Sequence, residues 1–153
     1  MKLTTGDPLP SFCLPDKDGK LFNSDDFKGR KAMVIYFYPK DETAGCTAEA
    51  CSFRDSYQDF KDAGAEVIGI SSDSESSHAS FAEHHRLPYI LLSDHKGSLR
   101  KKFGVPSSLF GLLPGRVTYV IDKMGIIRYT FSSQLSIGKH ISEALRILKE
   151  IKP

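Results

Sequence analysis

Cys46 and Cys51 stand five positions apart, and thiols at close spacing can carry nucleophilic and redox chemistry. Cys46 follows Pro39-Lys40-Asp41-Glu42-Thr43-Ala44-Gly45, a loop that joins an apolar run to an amphipathic segment. Loops at the carboxyl ends of strands are where open α/β proteins place their sites. A cysteine in the first turn of a helix meets free backbone N–H groups and the positive end of the helix dipole, and both favour thiolate over thiol. Cys46 is therefore placed as a nucleophile. The alternative is a small core residue, since it continues an apolar helix face.

The spacing also limits what Cys51 can do. Five residues along an α-helix span ~140° and roughly 8–9 Å between Cα atoms, beyond the ~4.4–6.8 Å a disulfide needs. The pair can bond only if the first turns of the helix unwind, which suits a redox cycle with two conformations better than a structural staple. On that reading Cys46 attacks and Cys51, on the polar face, resolves the product. Two unrelated free thiols are the alternative. Cys13, between Phe12 and Leu14 and outside any motif, is expected to be a buried packing residue.

The elements around the loop follow from periodicity. Residues 32–38 are apolar throughout and stop at Pro39, the pattern of a central strand buried on both faces. Cys46, Ala50, Phe53, Tyr57 and Phe60 recur at helical spacing and predict one helix ending near Gly64. Residues 66–70 predict a strand, 74–86 a helix halted before Pro88, 89–92 a short strand and 98–103 a short helix. Residues 116–121 and 126–131 flank Asp122-Lys123-Met124-Gly125 as a hairpin, and a final helix from Ser136 aligns Ile137, Ile141, Leu145 and Leu148. Residues 11–14 and 20–22 form an N-terminal hairpin extension. The order gives an α/β fold with a mixed central sheet flanked by helices, compatible with the thioredoxin-like fold.

Composition narrows the classes. A chain of 153 residues suits one domain, 1–153. A formal charge of +2 gives no reason to expect nucleic acid or an anionic membrane as partner. No apolar run approaches the ~18–20 residues of a transmembrane helix, and MKLTTGDPLPSF lacks an apolar signal core. The expectation is an intracellular or already processed chain. Three cysteines, an odd number, do not suit a secreted disulfide scaffold.

At this point the residues carry a resemblance. Pro39, Thr43 and Cys46 match the Pro-x-x-x-Thr-x-x-Cys motif of peroxiredoxins, and Gly45-Cys46-Thr47-Ala48-Glu49-Ala50-Cys51 resembles the peroxiredoxin Q (bacterioferritin comigratory protein) branch. The likeness extends to Tyr36-Phe37-Tyr38-Pro39, Leu91-Leu92-Ser93-Asp94 and the stretch from Pro114 to Asp122, with Ala44 standing where many members have Pro. The resemblance implies a thioredoxin-fold peroxidase for hydrogen peroxide and organic hydroperoxides, with Cys46 peroxidatic and Cys51 resolving. It also implies that Thr43 donates its hydroxyl, that Arg116 supplies positive charge and N–H donors, and that Pro39 shields the thiolate. Thioredoxin is the implied reductant, with glutaredoxin the alternative, and no flavin, haem or metal is required. Members of this branch are often monomers. A bacterial cytoplasm is the expected location, with a processed plastid protein as the alternative.

Other signals are set aside. His78, His84, His85, His95 and His140 do not stand at the spacing that brings helical ligands together, and adjacent His84 and His85 should point ~100° apart, so no metal site is expected. Gly111-Leu112-Leu113-Pro114-Gly115-Arg116 lacks the ending of a phosphate loop. Glu49 suits the helix dipole as an acid in the first turn, with a contact to Arg116 as a further role. A thiol-disulfide oxidoreductase would show Cys-x-x-Cys, which is missing here, and a non-catalytic thiol switch would oxidise once without turning over.

Overall fold

The computed structural model describes residues 2–108 and 113–151, with only the backbone considered at 107, 108, 113 and 114. Gly111 and Leu112 of the rejected phosphate-loop motif lie outside the described residues. In chain order the strands are β1 (Cys13–Pro15), β2 (Leu21–Asn23), β3 (Ala32–Phe37), β4 (Ala65–Ser71), β5 (Ile90–Ser93), β6 (Ser107–Ser108), β7 (Leu113–Pro114), β8 (Val117–Ile121) and β9 (Ile127–Ser132). The helices are α1 (Ala44–Asp55), α2 (Tyr57–Asp62), α3 (Glu75–His85), α4 (Ser98–Phe103) and α5 (Ile137–Ile151).

The main sheet runs β5-β4-β3-β8-β9, with β3, β4 and β5 mutually parallel and β8 antiparallel to both β3 and β9. β1 and β2 form the expected N-terminal hairpin. The sheet is thus mixed, and β3 lies at its centre.

Alternation along β3 divides the core in two. Val34 and Tyr36, with Tyr38 just beyond, face a cluster that holds Cys46, Ala50 and Phe53 of α1, Phe81 of α3 and Ile141, Ala144 and Leu148 of α5. Met33, Ile35 and Phe37 face the other cluster, with Leu99 and Phe103 of α4 and Phe12 of the N-terminal segment. A strand buried on both faces needs an apolar residue at every position, which is why residues 32–38 show no polar alternation.

Two helices differ from expectation. The helix predicted to end near Gly64 breaks at Ser56, which leaves helical geometry at φ −103°, ψ 5°. Asp55 and Ser56 are weak helix formers whose side chains compete for backbone groups. In α5 the buried residues are His140, Ile141, Ala144, Ile147 and Leu148, whereas Ile137 and Leu145 are only half-buried. The core face is rotated from the predicted one because a polar residue, His140, lies within it.

Candidate active site

The loop from Pro39 to Cys46 is pinned at its base. Tyr38 N–H donates to Ile70 O at 3.1 Å, extending the β3–β4 pairing to the residue before half-buried Pro39. Asp41 is buried, and its carboxylate accepts from Tyr38 Oη at 2.6 Å and Ser77 Oγ at 2.8 Å, while its own N–H donates to Asp73 at 2.8 Å. His78 Nδ1 stands 2.8 Å from the same carboxylate and Nε2 stands 3.0 Å from Leu92 O. A carbonyl only accepts, so Nε2 carries a proton, and a second proton must lie between Nδ1 and Asp41.

The next residues lie at the surface. Glu42 is exposed and takes a left-handed φ of 63°, uncommon for a non-glycine. Its carboxylate meets His84 Nδ1 at 2.9 Å and His85 Nε2 at 2.8 Å, and these hydrogen bonds, His84 first, hold the Glu42 carboxyl below its usual range. Thr43 precedes α1 and donates its hydroxyl to Lys40 O at 2.8 Å, leaving the first turn of α1 without a side-chain cap. Its hydroxyl therefore braces the loop in this conformation, and the uncapped N–H groups of the first turn remain to meet a negative group.

Cys46 is the third residue of α1 and 1% exposed. Arg116, one residue before β8, extends its guanidinium across the sheet end, with Nη2 at 3.5 Å from Cys46 Sγ and Nη1 at 2.6 Å from Glu49 Oε1. A Cβ at residue 45 would stand 3.0 Å from Arg116 Nη2, so a larger residue there would crowd the guanidinium that meets the thiol. Burial pushes the Glu49 carboxyl up to about 7 against the opposing pull of Arg116. Arg116 is itself buried, but Glu49 and Cys46 more than offset that and raise its pKa above the ordinary value.

Behind Glu49 lies His140. Its Nε2 faces Ser133 O at 2.8 Å and its Nδ1 faces Thr118 Oγ1 at 2.7 Å, while burial first, and then Arg116, push its pKa down to about 4. Neutral His140 therefore donates from Nε2 and accepts the Thr118 hydroxyl at Nδ1. Glu49 Oε2, 3.6 Å from that nitrogen, has no hydrogen-bond partner among the described residues, nor does Arg116 Nε.

Buried Arg100 ties the two halves together. It donates from Nη2 to Tyr38 O at 2.9 Å and from Nη1 to Gly115 O at 3.0 Å, fixing the backbone ahead of Pro39 and of Arg116 with one side chain. Asp94, also buried, accepts the backbone N–H groups of Leu99 and Arg100 and so seats the helix that carries it.

The structure thus brings Cys46 and Arg116 together and adds Glu49 as their partner. Thr43 turns to its own loop, and Pro39 lies at the end of the central strand. Cys51 is half-buried on the same unbroken helix, and both thiols are free. Cys13 is exposed, contrary to expectation, because the two-stranded hairpin buries Phe12 and turns the next residue outward. His84 and His85 also depart from expectation, since both meet Glu42. Their rings lie close, tilted at 35° with centroids 4.1 Å apart, and use different nitrogens, which helical spacing does not anticipate. Arg100, His78 and His140 were not singled out. Their partners are distant in sequence, and only the isolated polar residue within an apolar face at His140 offered a local signal.

The likeness to known proteins agrees with this geometry. Residues 5–130 match the AhpC/TSA family. The chain is 53% identical over 150 residues to a chloroplastic peroxiredoxin Q from Populus jackii, covering 98% of this chain and 70% of that one. Peroxidoxin BcpB from Mycobacterium tuberculosis superposes with a TM-score of 0.91 at 38% identity, covering 99% of each chain. The bacterioferritin comigratory protein of Xanthomonas campestris, described for alkyl peroxide reduction activity, superposes at 0.86 with 28% identity, covering 96% of this chain and 100% of that one.

Proposed function

Since the chain belongs to the AhpC/TSA family, in its peroxiredoxin Q branch, and is a thiol-dependent peroxidase, we propose that Cys46 is the nucleophile that takes an oxygen atom from peroxide and Cys51 its resolving partner. The observation that carries this reading is the single guanidinium shared between Cys46 and Glu49. The Cys46 thiolate attacks one peroxide oxygen, the O–O bond breaks, and its electron pair leaves on the second oxygen, which takes a proton as water or alcohol. Arg116 and the uncapped N–H groups of α1 face the charge that develops during this transfer. Below about pH 7 Glu49 is neutral and leaves the Arg116 charge to the thiolate; above it, the carboxylate competes.

Cys46 sulfenic acid then meets Cys51. The Cys51 sulfur attacks the Cys46 sulfur, water departs, and a disulfide forms. The unbroken helix opposes this step, so α1 must unwind first. A dithiol reductant of the thioredoxin type returns both thiols, giving up two electrons and becoming a disulfide itself. Thioredoxin fits this role before glutaredoxin. Thr43 and Pro39 position and shield the reacting sulfur. One domain, 1–153, carries the cycle as a monomer, a reading supported by the large apolar side chains left exposed among the described residues, Leu21, Met124 and Leu135, which lie on three separate segments of the chain. The relatives named chloroplastic favour the plastid over the cytoplasmic location.

Intact mass after one equivalent of hydrogen peroxide tests the cycle. The native protein should lose two hydrogens, Cys51→Ser should gain one oxygen and stay there, and Cys46→Ser should not react rapidly. Rapid peroxide consumption by Cys46→Ser would sink the assignment.

A further inference from the structure

Among the described residues, Glu42, His84 and His85 place one ligand atom each within 4.8 Å of the others, outside the reacting pocket. We propose that these three side chains bind a borderline divalent cation, of which Zn2+ is the best match, and that the bound ion ties the catalytic loop to the end of α3 and slows the unwinding that the Cys46–Cys51 disulfide requires. The regulatory half rests on the disulfide cycle proposed above; the binding half does not.

The donor set selects the ion. Two imidazole nitrogens and one carboxylate oxygen suit zinc and its neighbours, whereas magnesium and calcium prefer oxygen alone. Two ligands ~2.0–2.1 Å from a tetrahedral zinc stand roughly 3.3–3.4 Å apart. Glu42 Oε1 lies 3.3 Å from His84 Nδ1, already the spacing a shared zinc needs, and 2.8 Å from His85 Nε2, a contact that must open by about half an ångström to admit the ion. Zinc then takes the place of the protons that these hydrogen bonds share. The His84 and Glu42 side chains are 66% and 45% exposed, leaving room for water to complete the shell.

The site is also held in place. His85 is 18% exposed, packs edge-on against Phe81 at 5.2 Å, and has its carbonyl fixed by Arg54 Nη1 at 2.7 Å. Both histidines lie in the last turn of α3, where the helix dipole presents its negative end to a cation. Glu42 comes from the loop that leads into α1, so coordination joins the two elements that must separate for α1 to unwind.

Zinc alone is titrated into the full-length protein carrying serine at positions 13, 46 and 51, so that no thiol competes. One zinc should bind per chain, and His84→Ala, His85→Ala and Glu42→Gln should each weaken binding about tenfold or more. His84 is exposed enough that its substitution cannot be confused with misfolding. No saturable binding, or binding that all three variants leave unchanged, would overturn the site. In the native protein, zinc should leave the rate of Cys46 sulfenic acid formation unchanged and slow disulfide formation severalfold, and His84→Ala should abolish that slowing. Zinc binding with no slowing, or slowing that persists in His84→Ala, would overturn the regulatory half alone. Peroxide consumption by Cys46→Ser would instead remove the disulfide cycle while leaving zinc binding intact.

Discussion

Asp41 and Glu42 are neighbours in one loop, yet their carboxylates live in different physical worlds. Asp41 is 5% exposed and joins Tyr38, Ser77 and His78 through hydrogen bonds, with its own N–H anchored on Asp73. Glu42 is solvated, holds exposed His84 and half-buried His85, and sits at a left-handed φ. A buried charge must be fully satisfied or it costs several kcal/mol, so Asp41 fixes the loop base permanently. An exposed pair gains ~0–1 kcal/mol and is readily exchanged, so Glu42 can hold the tip without locking it. The loop must stay shaped around Cys46 during attack and let go of it during disulfide formation, and this division meets both needs.

Asp41→Ala should break the contrast most severely. Removing one member of a buried, hydrogen-bonded pair costs about 3–5 kcal/mol, read from urea unfolding, and should abolish turnover because His78, Tyr38 and the loop lose their common partner. A loss under about 1 kcal/mol would place Asp41 with Glu42 and remove the distinction.

A third carboxylate, Glu49, sharpens it next. Its folded pKa of about 7 lies above the unfolded value of 4.5, so the folded state holds an extra proton between those limits and stability falls as pH rises through the window. His140 has the opposite sign: its folded value of about 4 lies below the unfolded 6.5, so stability falls as pH drops through that range. In the native protein the two slopes oppose one another from about pH 4.5 to 6.5. In Glu49→Gln only the histidine slope remains, and stability should rise more steeply with pH by about 1.4 kcal/mol per unit, or on the order of 3 kcal/mol across the whole Glu49 window. Parallel pH profiles for the two proteins would show that Glu49 is ionised throughout.

How much of this was legible depends on where each partner comes from. β3 was readable because an unbroken apolar run ending at Pro39 has one simple meaning, and Cys46 was readable because the loop and the start of α1 are local features. Arg116 was readable only through family likeness, since nothing local distinguishes it from a solvated strand end. Asp41 and His78 left no trace in the pattern, because their bonds reach from the loop to α3 and to β5. His140 misled the reading of α5, since periodicity counts apolar residues and cannot foresee a histidine whose nitrogens Ser133 and Thr118 satisfy. The break at Ser56 was invisible for a related reason: the apolar spacing continues across it, so Phe53 and Phe60 still share one core.

The smallest expected effect belongs to Glu42, and it separates charge from backbone. Glu42→Gln loses the carboxylate contacts with His84 and His85 but keeps the left-handed φ, so it should cost no more than about 1 kcal/mol. Glu42→Gly also loses those contacts but relieves a backbone conformation that costs an ordinary residue about 1 kcal/mol, so its net change should lie close to zero. Urea unfolding of the two variants beside the native protein makes the comparison. Equal losses in both would mean that the left-handed residue carries no strain and that the histidine contacts alone hold the loop tip. A smaller loss for glycine would show that those contacts hold the tip against its own backbone preference, which is what a clamp designed to open requires.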